Sequence, residues 1–199
     1  MKVNIKERKI VHDGFLKVET VSLRYEKFDG KMSEWVVREN CLRCDSAAAL
    51  VYDINIKRMV FVKQFRYPVY AVSPEDAWML EIPAGAIDEG EDPKDAMMRE
   101  LQEEIHLNVR KEDVVFIGKY FSSPGGSSER IFLYSVECDL AEYGYQYGGS
   151  LAEHEDIQIV VLPFQQVYEA LTEEKIVDGK TIMALLWLEK QLSKYFFGL

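Results

Sequence analysis

The chain has 199 residues, 48% hydrophobic and 12% aromatic, enough for one sizeable domain, or a compact domain with a small appendage, without disulfides. Its formal net charge of −10 argues against nucleic acid as a partner, because phosphate backbones call for a basic footprint. No run of about 18 apolar residues offers a transmembrane helix, and MKVNIKERKIVHD lacks the apolar stretch and cleavage site of a signal peptide, so neither membrane insertion nor export is expected.

Residues 1 to about 40 read as short strands. LKVETVSLRYEKF and KMSEWVVRE flank Asp29-Gly30, a hairpin turn signal. This piece is too small to bury a core alone and should pack on the remainder or on a partner subunit. The expected division is an N-terminal β-sheet subdomain at 1–42 and a main domain at 43–199. Cys41-x-x-Cys44 has no second ligand pair for zinc, and with Cys138 the total is odd, so these residues read as cysteines in or beside a strand of a cytoplasmic protein. SAAALVYD (46–53) and RMVFVKQF (58–65) form a second hairpin, and WMLEIP (78–83) is a further strand.

The clearest helix runs from about Pro93 to Ile105, with Asp92 as N-cap, Pro93 at the first position, and an apolar stripe of Met97, Leu101 and Ile105. Strands follow near 113–121, 130–138 and 156–163, then a helix near 164–174. A last helix near 180–195 offers Ile182, Leu185, Leu186 and Leu192 to the core. Strands mixed with helices and joined mostly as hairpins indicate an α+β fold with a mixed sheet, not a doubly wound parallel sheet. The Gly-rich fingerprints of dinucleotide and P-loop binding are absent.

The chemistry concentrates in GAIDEGEDPKDAMMRELQEEIHL, Gly85 to Leu107. At 100° per residue, Glu100 and Glu104 lie about 40° apart on the helix, with Glu103 about 60° to the other side of Glu100. Three carboxylates on one face repel one another, and a hard divalent cation relieves that repulsion, since Mg²⁺ takes carboxylate and phosphate oxygens together. A solvated acidic face is the bland alternative. The flanking residues decide against it: the segment resembles the Nudix box, G-x5-E-x7-R-E-U-x-E-E-x-G-U with U bulky aliphatic. It meets eight of the nine specified positions, at Gly85, Glu91, Arg99, Glu100, Leu101, Glu103, Glu104 and Leu107. The departure is His106, which stands where the box has glycine. That position favours a left-handed backbone, which histidine tolerates at a cost of about 1 kcal/mol.

Beyond the box the chain is similar to the nucleotide-sugar branch of the Nudix family, the ADP-ribose pyrophosphatases and their GDP-mannose-cleaving relatives. Val37-Arg38-Glu39, Gln64-Phe65-Arg66-Tyr67, Glu81-Ile82-Pro83-Ala84-Gly85, the Ser123–Arg130 stretch with Pro124, and Glu153-His154-Glu155-Asp156-Ile157 carry the likeness. The resemblance implies an α/β/α sandwich with a small N-terminal antiparallel sheet. It implies metal ligands at Glu100, Glu104, Glu155 and the Ala84 backbone carbonyl, for Mg²⁺ or Mn²⁺. Catalytic candidates are Glu153, Glu155 and Glu103, with the base left open between the two loop glutamates. Arg38, Arg66, Glu129 and Gly125 are implied to bind substrate. Gly85, Glu91 and Arg99 are structural within the motif, Arg99 holding a neighbouring carboxylate in place.

The implied reaction is metal-dependent hydrolysis of a nucleoside diphosphate sugar by a homodimer, ADP-ribose giving AMP and ribose 5-phosphate. Ile176–Thr181 looks more like the GDP-mannose enzymes and Ser128-Glu129-Arg130 more like the ADP-ribose enzymes. GDP-mannose, UDP-glucose and ADP-glucose therefore stand as alternatives, and a non-catalytic nucleotide-sugar sensor is a further one.

Overall fold

The computed structural model describes residues 1–150 and 155–197. Residues Met1–Asp45 and Tyr120–Arg130 make up a smaller unit, and the rest of the chain a larger one. The smaller unit is built on an antiparallel sheet of β1 (Val3–Asp13), β2 (Lys17–Tyr25) and β3 (Val36–Leu42), in that order. β1 is exposed along its whole length, whereas β2 buries Val21 and Glu19, the latter satisfied by Asn40 Nδ2 at 3.0 Å and Arg8 Nε at 3.1 Å. The turn forms at Asp29-Gly30, but the β2–β3 ladder ends at Leu23 opposite Val36, earlier than the hairpin pattern suggests. Near the tip the Ser33 hydroxyl accepts the Tyr25 N–H at 3.1 Å, a side-chain bond that competes with the ladder. Cys41 lies in β3 and Cys44 just beyond it, both free; the Cys41 N–H donates to Gly126 O at 2.8 Å.

The larger unit begins with β4 (Ser46–Asp53) and β5 (Arg58–Phe65), the expected hairpin. A single turn α1 (Tyr67–Tyr70), β6 (Trp78–Glu81), β7 (Ala84–Ala86) and helix α2 (Pro93–Ile105) follow. Then come β8 (Val114–Phe121) and β9 (Arg130–Glu137), whose residues Tyr120, Phe121 and Arg130 fall in the smaller unit, followed by β10 (Tyr147–Gly148), β11 (Ile157–Pro163) and helices α3 (Phe164–Thr172) and α4 (Gly179–Phe197). The sheet runs β10-β11-β5-β4-β9-β8, with β6 added on β5 and β7 on β4. β4 and β9 are parallel, β4–β5 and β5–β11 antiparallel, so the sheet is mixed.

Successive strand residues point to opposite faces, and β4 is buried on both. Ala47, Ala49 and Val51, with Val60 and Val62 of β5, pack in one cluster with Ala96, Met97, Leu101 and Ile105 of α2. Ala48 and Leu50 belong to the other face and are equally inaccessible; α4 lies against β4 and buries Ala184, Leu185 and Leu188. Helices on both faces of a mixed sheet make an α/β/α sandwich. α4 departs from the expected contacts at Leu186, which is 51% exposed: the buried stripe is Thr181, Ala184, Leu185 and Leu188, and Leu186 lies 100° beyond Leu185, off that stripe.

α2 has the capping its sequence promises. The Asp92 carboxylate accepts the N–H groups of Lys94 and Asp95, and Pro93 occupies the first turn. Because Leu101 is fully enclosed in the α2–sheet cluster, Leu101→Ala should cost about 2–5 kcal/mol of unfolding free energy at an unchanged denaturant slope. A loss under about 1 kcal/mol in urea titration would contradict that packing.

Candidate active site

α2 turns one side to the core and the other to the backbone of β7. Glu104 is 2% exposed and its Oε2 accepts the Ala84 N–H at 2.9 Å. Glu100 is 9% exposed and lies so close to Gly85 that a Cβ there would stand 1.9 Å from its carboxyl carbon. A side chain at residue 85 would therefore push the Glu100 carboxyl, the end of a flexible side chain, out of its place. Burial drives the Glu100 carboxyl up to about 7, Arg99 opposing and Glu103 and Glu155 adding to the rise. Burial also drives Glu104 well above the usual carboxylate range, against the pull of the Ala84 N–H and with Glu100 and Glu155 repelling it.

Arg99 spans the loop and the helix. Its Nε and Nη2 grip Glu91 as a fork, both at 3.1 Å, and Nη2 also reaches Ala86 O at 2.9 Å. Its Nη1 donates to Glu100 Oε1 at 2.6 Å and to Glu103 Oε2 at 3.4 Å. Glu91 accepts the Asp88 N–H as well, and its carboxyl is held below the usual range, first by Arg99. One guanidinium thus joins three of the motif's carboxylates to the turn before the helix.

Glu155 precedes β11. Its Oε2 accepts the Ser150 N–H at 3.1 Å, and its own N–H donates to Ser150 O at 3.1 Å, so it is folded onto its own loop while its charge reaches both helix glutamates. Glu153 lies outside the described residues. Among the described residues no three His, Cys, Asp or Glu side chains form a ready-made metal cage. The donor set nevertheless suits a hard divalent ion: two desolvated carboxyls, mutually repelling, with only oxygen donors offered. Mg²⁺ uses one or two carboxylates plus water and substrate phosphate instead of an all-protein cage.

Arg66, following β5, is held by Glu81 of β6 through Nε–Oε1 at 2.6 Å and Nη2–Oε2 at 3.1 Å. Glu81 is 3% exposed and also bonds Lys180 of α4, which in turn pairs with Asp178 at 3.1 Å. Burial pushes the Glu81 carboxyl up, but Lys180 and Arg66 outweigh it and hold the group below its ordinary value. Sequence reasoning assigned no role to Glu81 or Lys180. The available signal was a lone acid closing the apolar strand WMLE and a lone lysine beside buried Thr181, whose hydroxyl accepts the Ile82 N–H at 2.9 Å and donates to Asp178 at 2.6 Å.

In the smaller unit, Arg38 and Gly125 line one surface depression together with Val18, Val37, Glu39, Cys41 and Gly126. The Arg38 Nη1 donates to Val37 O at 2.9 Å. Glu129 accepts the Ser122 hydroxyl at 2.8 Å and pairs with Arg43 at 3.4 Å, and does not line that depression.

A family model described as the NUDIX domain matches residues 42–185. The chain is 35% identical over 187 residues to the ADP-ribose pyrophosphatase of Escherichia coli, covering 94% of this chain and 88% of that one. It is 29% identical over 189 residues to the GDP-mannose pyrophosphatase of Cronobacter sakazakii, covering 95% and 96%. A crystal structure of an ADP compounds hydrolase shares the fold, with a TM-score of 0.72 at 21% identity over 98% of this chain and 96% of that one. The motif that fills the space between β7 and α2 is therefore not an isolated coincidence of charges: the protein belongs to the Nudix family and is a pyrophosphohydrolase of that family.

Proposed function

We propose that this enzyme hydrolyses the diphosphate bond of a nucleoside diphosphate sugar, with ADP-ribose giving AMP and ribose 5-phosphate. The observation that carries the reading is the Glu100–Glu104 pair, two carboxyls held together out of water beside the Ala84–Gly85 backbone. Relatives named ADP-ribose pyrophosphatase, at 30–35% identity, support the substrate. GDP-mannose is the second reading, favoured by relatives named GDP-mannose pyrophosphatase and by the likeness of Ile176–Thr181 to them.

Glu100, Glu104, Glu155 and the Ala84 carbonyl are the proposed holders of divalent ions, Mg²⁺ first and Mn²⁺ second. When bound, such ions neutralise charge developing on the diphosphate and lower the pKa of a coordinated water. The chain's own parts in the reaction are positional and protolytic. Arg66, its Nε–Nη2 edge fixed by Glu81, keeps Nη1 for a substrate phosphate oxygen. The base that takes the proton from the attacking water is one of the loop glutamates Glu153 and Glu155, with Glu103 the remaining candidate on the helix. Arg99 and Glu91 keep Glu100 and the preceding turn in register, and Gly85 leaves Glu100 its space. Arg38, Glu129 and Gly125 are proposed substrate-binding residues. With Mg²⁺, equal concentrations of ADP-ribose, GDP-mannose, UDP-glucose and ADP-glucose should show the highest kcat/KM for ADP-ribose. Glu104→Gln should lower kcat at least about 100-fold with far-UV circular dichroism unchanged. Near-normal turnover by that variant would remove Glu104 from the metal site.

We further propose residues 1–42 as a subdomain through which two copies form a homodimer. The support is β1, whose Val3, Ile5, Ile10 and Val11 are all exposed and want a cover. Three free cysteines suit a cytoplasmic setting, and among the described residues no helix is long and apolar enough to cross a membrane. Light scattering at micromolar concentration should return twice the chain mass of 23.0 kDa; a monomer mass would end the dimer proposal.

The raised carboxyls also predict how stability follows pH. A folded pKa above the unfolded value means that the folded state keeps a proton that the unfolded chain has already released. That contribution is present in full below the usual 4.5 and is lost as pH rises through about 7 for Glu100, with Glu104 extending the window upward. The metal-free Tm should therefore fall from about pH 5 to about pH 8, and Glu104→Gln should raise it at the upper end and flatten the slope. Saturating Mg²⁺ should recover the loss in the wild type and not in the variant, by mass action. A metal-free Tm that climbs across this range would contradict the desolvated carboxyl pair.

A further inference from the structure

His106 stands where the family's box has glycine, and its backbone adopts the left-handed conformation that the glycine would favour, φ 54° and ψ 30°. A side chain that is conformationally unfavourable there should have work to do, and its contacts are specific. The ring Nε2 is 3.0 Å from Tyr147 O, and because a carbonyl only accepts, Nε2 carries the hydrogen. The ring also packs on Tyr145, centroid to centroid 4.9 Å, and Tyr145 in turn meets the edge of Tyr143 at 5.6 Å.

These contacts belong to a longer seam. The last carbonyls of a helix lack partners within it, and two from the end of α2 are answered by the segment 143–149. The Tyr143 hydroxyl donates to Ile105 O at 2.6 Å and the Gly149 N–H to Glu103 O at 3.1 Å. Gly148 lies so close to the helix that a Cβ would stand 1.8 Å from Glu104 O. On its far side the segment joins the sheet, Tyr147 opposite Gln158 and Gly148 opposite Ile157, and continues to Ser150, which is doubly bonded to Glu155.

We propose that His106 is a positioning residue: it latches the 143–150 segment onto the C-terminal end of α2 and thereby fixes Glu155 relative to Glu100 and Glu104. The side chain contributes through Tyr147 O and the Tyr145 ring, and never touches substrate. The proposal rests on the functional reading above for its catalytic consequence, though not for the latch itself.

Glycine separates the two roles of residue 106, because it accepts the left-handed backbone without strain and removes only the side chain. His106→Gly should leave the Tm at or above that of the wild type, while amide exchange of Gly149 and Ser150 in the metal-free protein accelerates several-fold. With ADP-ribose and Mg²⁺, its kcat should fall about tenfold with KM changed less than about twofold, the signature of misplaced groups and not of lost binding. His106→Gln restores a donor of similar reach and should recover most of the kcat and exchange protection. Unchanged exchange at 149–150 in the glycine variant would overturn the latch, as would a kcat loss that glutamine fails to restore. If the wild type leaves all four nucleotide sugars intact, the substrate reading fails, and the exchange comparison still decides the latch.

Discussion

The dehydration of two neighbouring carboxyls is the constraint around which the larger unit is organised. Removal from water disfavours the ionised form of a carboxyl, and burial pushes the pKa values of both Glu100 and Glu104 up. A protein selected only for stability would place apolar residues at these positions of α2, which is well packed on its other side by Met97, Leu101 and Ile105. The strain is local, and the firmness of the α2–sheet packing lets the fold tolerate it. On the proposed function, this is the ordinary trade between stability and activity, localised to two side chains.

Arg99 shows how the remaining charge is arranged. An exposed ion pair contributes little, about 0–1 kcal/mol, but this guanidinium is only partly exposed and engages Glu91, Glu100, Glu103 and a backbone carbonyl at once. Its worth is geometric. The fork on Glu91 fixes the loop before α2, and the same planar group sets the rotamer of Glu100. A lysine could neutralise one of these partners but could not span them. The Arg66–Glu81–Lys180 network repeats the scheme, with a buried carboxylate now fixing an arginine that reaches the surface.

Most of the fold was legible in the sequence because its signals are local. Asp92-Pro93 and the four-residue apolar spacing define α2 to the residue, and the β-branched runs at 46–53 and 58–65 define β4 and β5 with equal fidelity. The elements that escaped, α1, β7 and β10, are two to four residues long: α1 is a single turn of local hydrogen bonds, while β7 and β10 exist through tertiary pairing, β7 being a strand only because Ser46–Ala48 offers it an edge. Among the candidate site residues, the helix glutamates were singled out by the box that Gly85, Glu91 and Arg99 complete, since their spacing alone also fits a solvated acidic face, and Glu155 by resemblance only. Glu81 and Lys180 were not, since 99 residues separate them and their bond exists only once α4 has closed over β6. Leu186 marks the opposite limit: a hydrophobic pattern names candidates for the buried face, and the helix rotation that decides among them is set by neighbours such as Thr181.

Gly85 and Gly148 extend this point to the chemistry. They are 63 residues apart, yet each brings backbone close against α2: a Cβ at Gly148 would meet the Glu104 carbonyl of the main chain, and one at Gly85 would displace the Glu100 carboxyl. Only the first belongs to a motif that can be read in advance. The second is visible solely as close approach, and its consequence is that Tyr147–Gly149 are seated against α2 by main-chain atoms as well as by the His106 side chain. Glu100 and Glu104 share one face of a helix that is firmly packed on its other side, so their charged forms cannot move apart by more than the reach of the side chains. On the proposed function, a divalent ion would meet two carboxyls already held close together, and its affinity would follow from that placement as much as from the number of acidic groups.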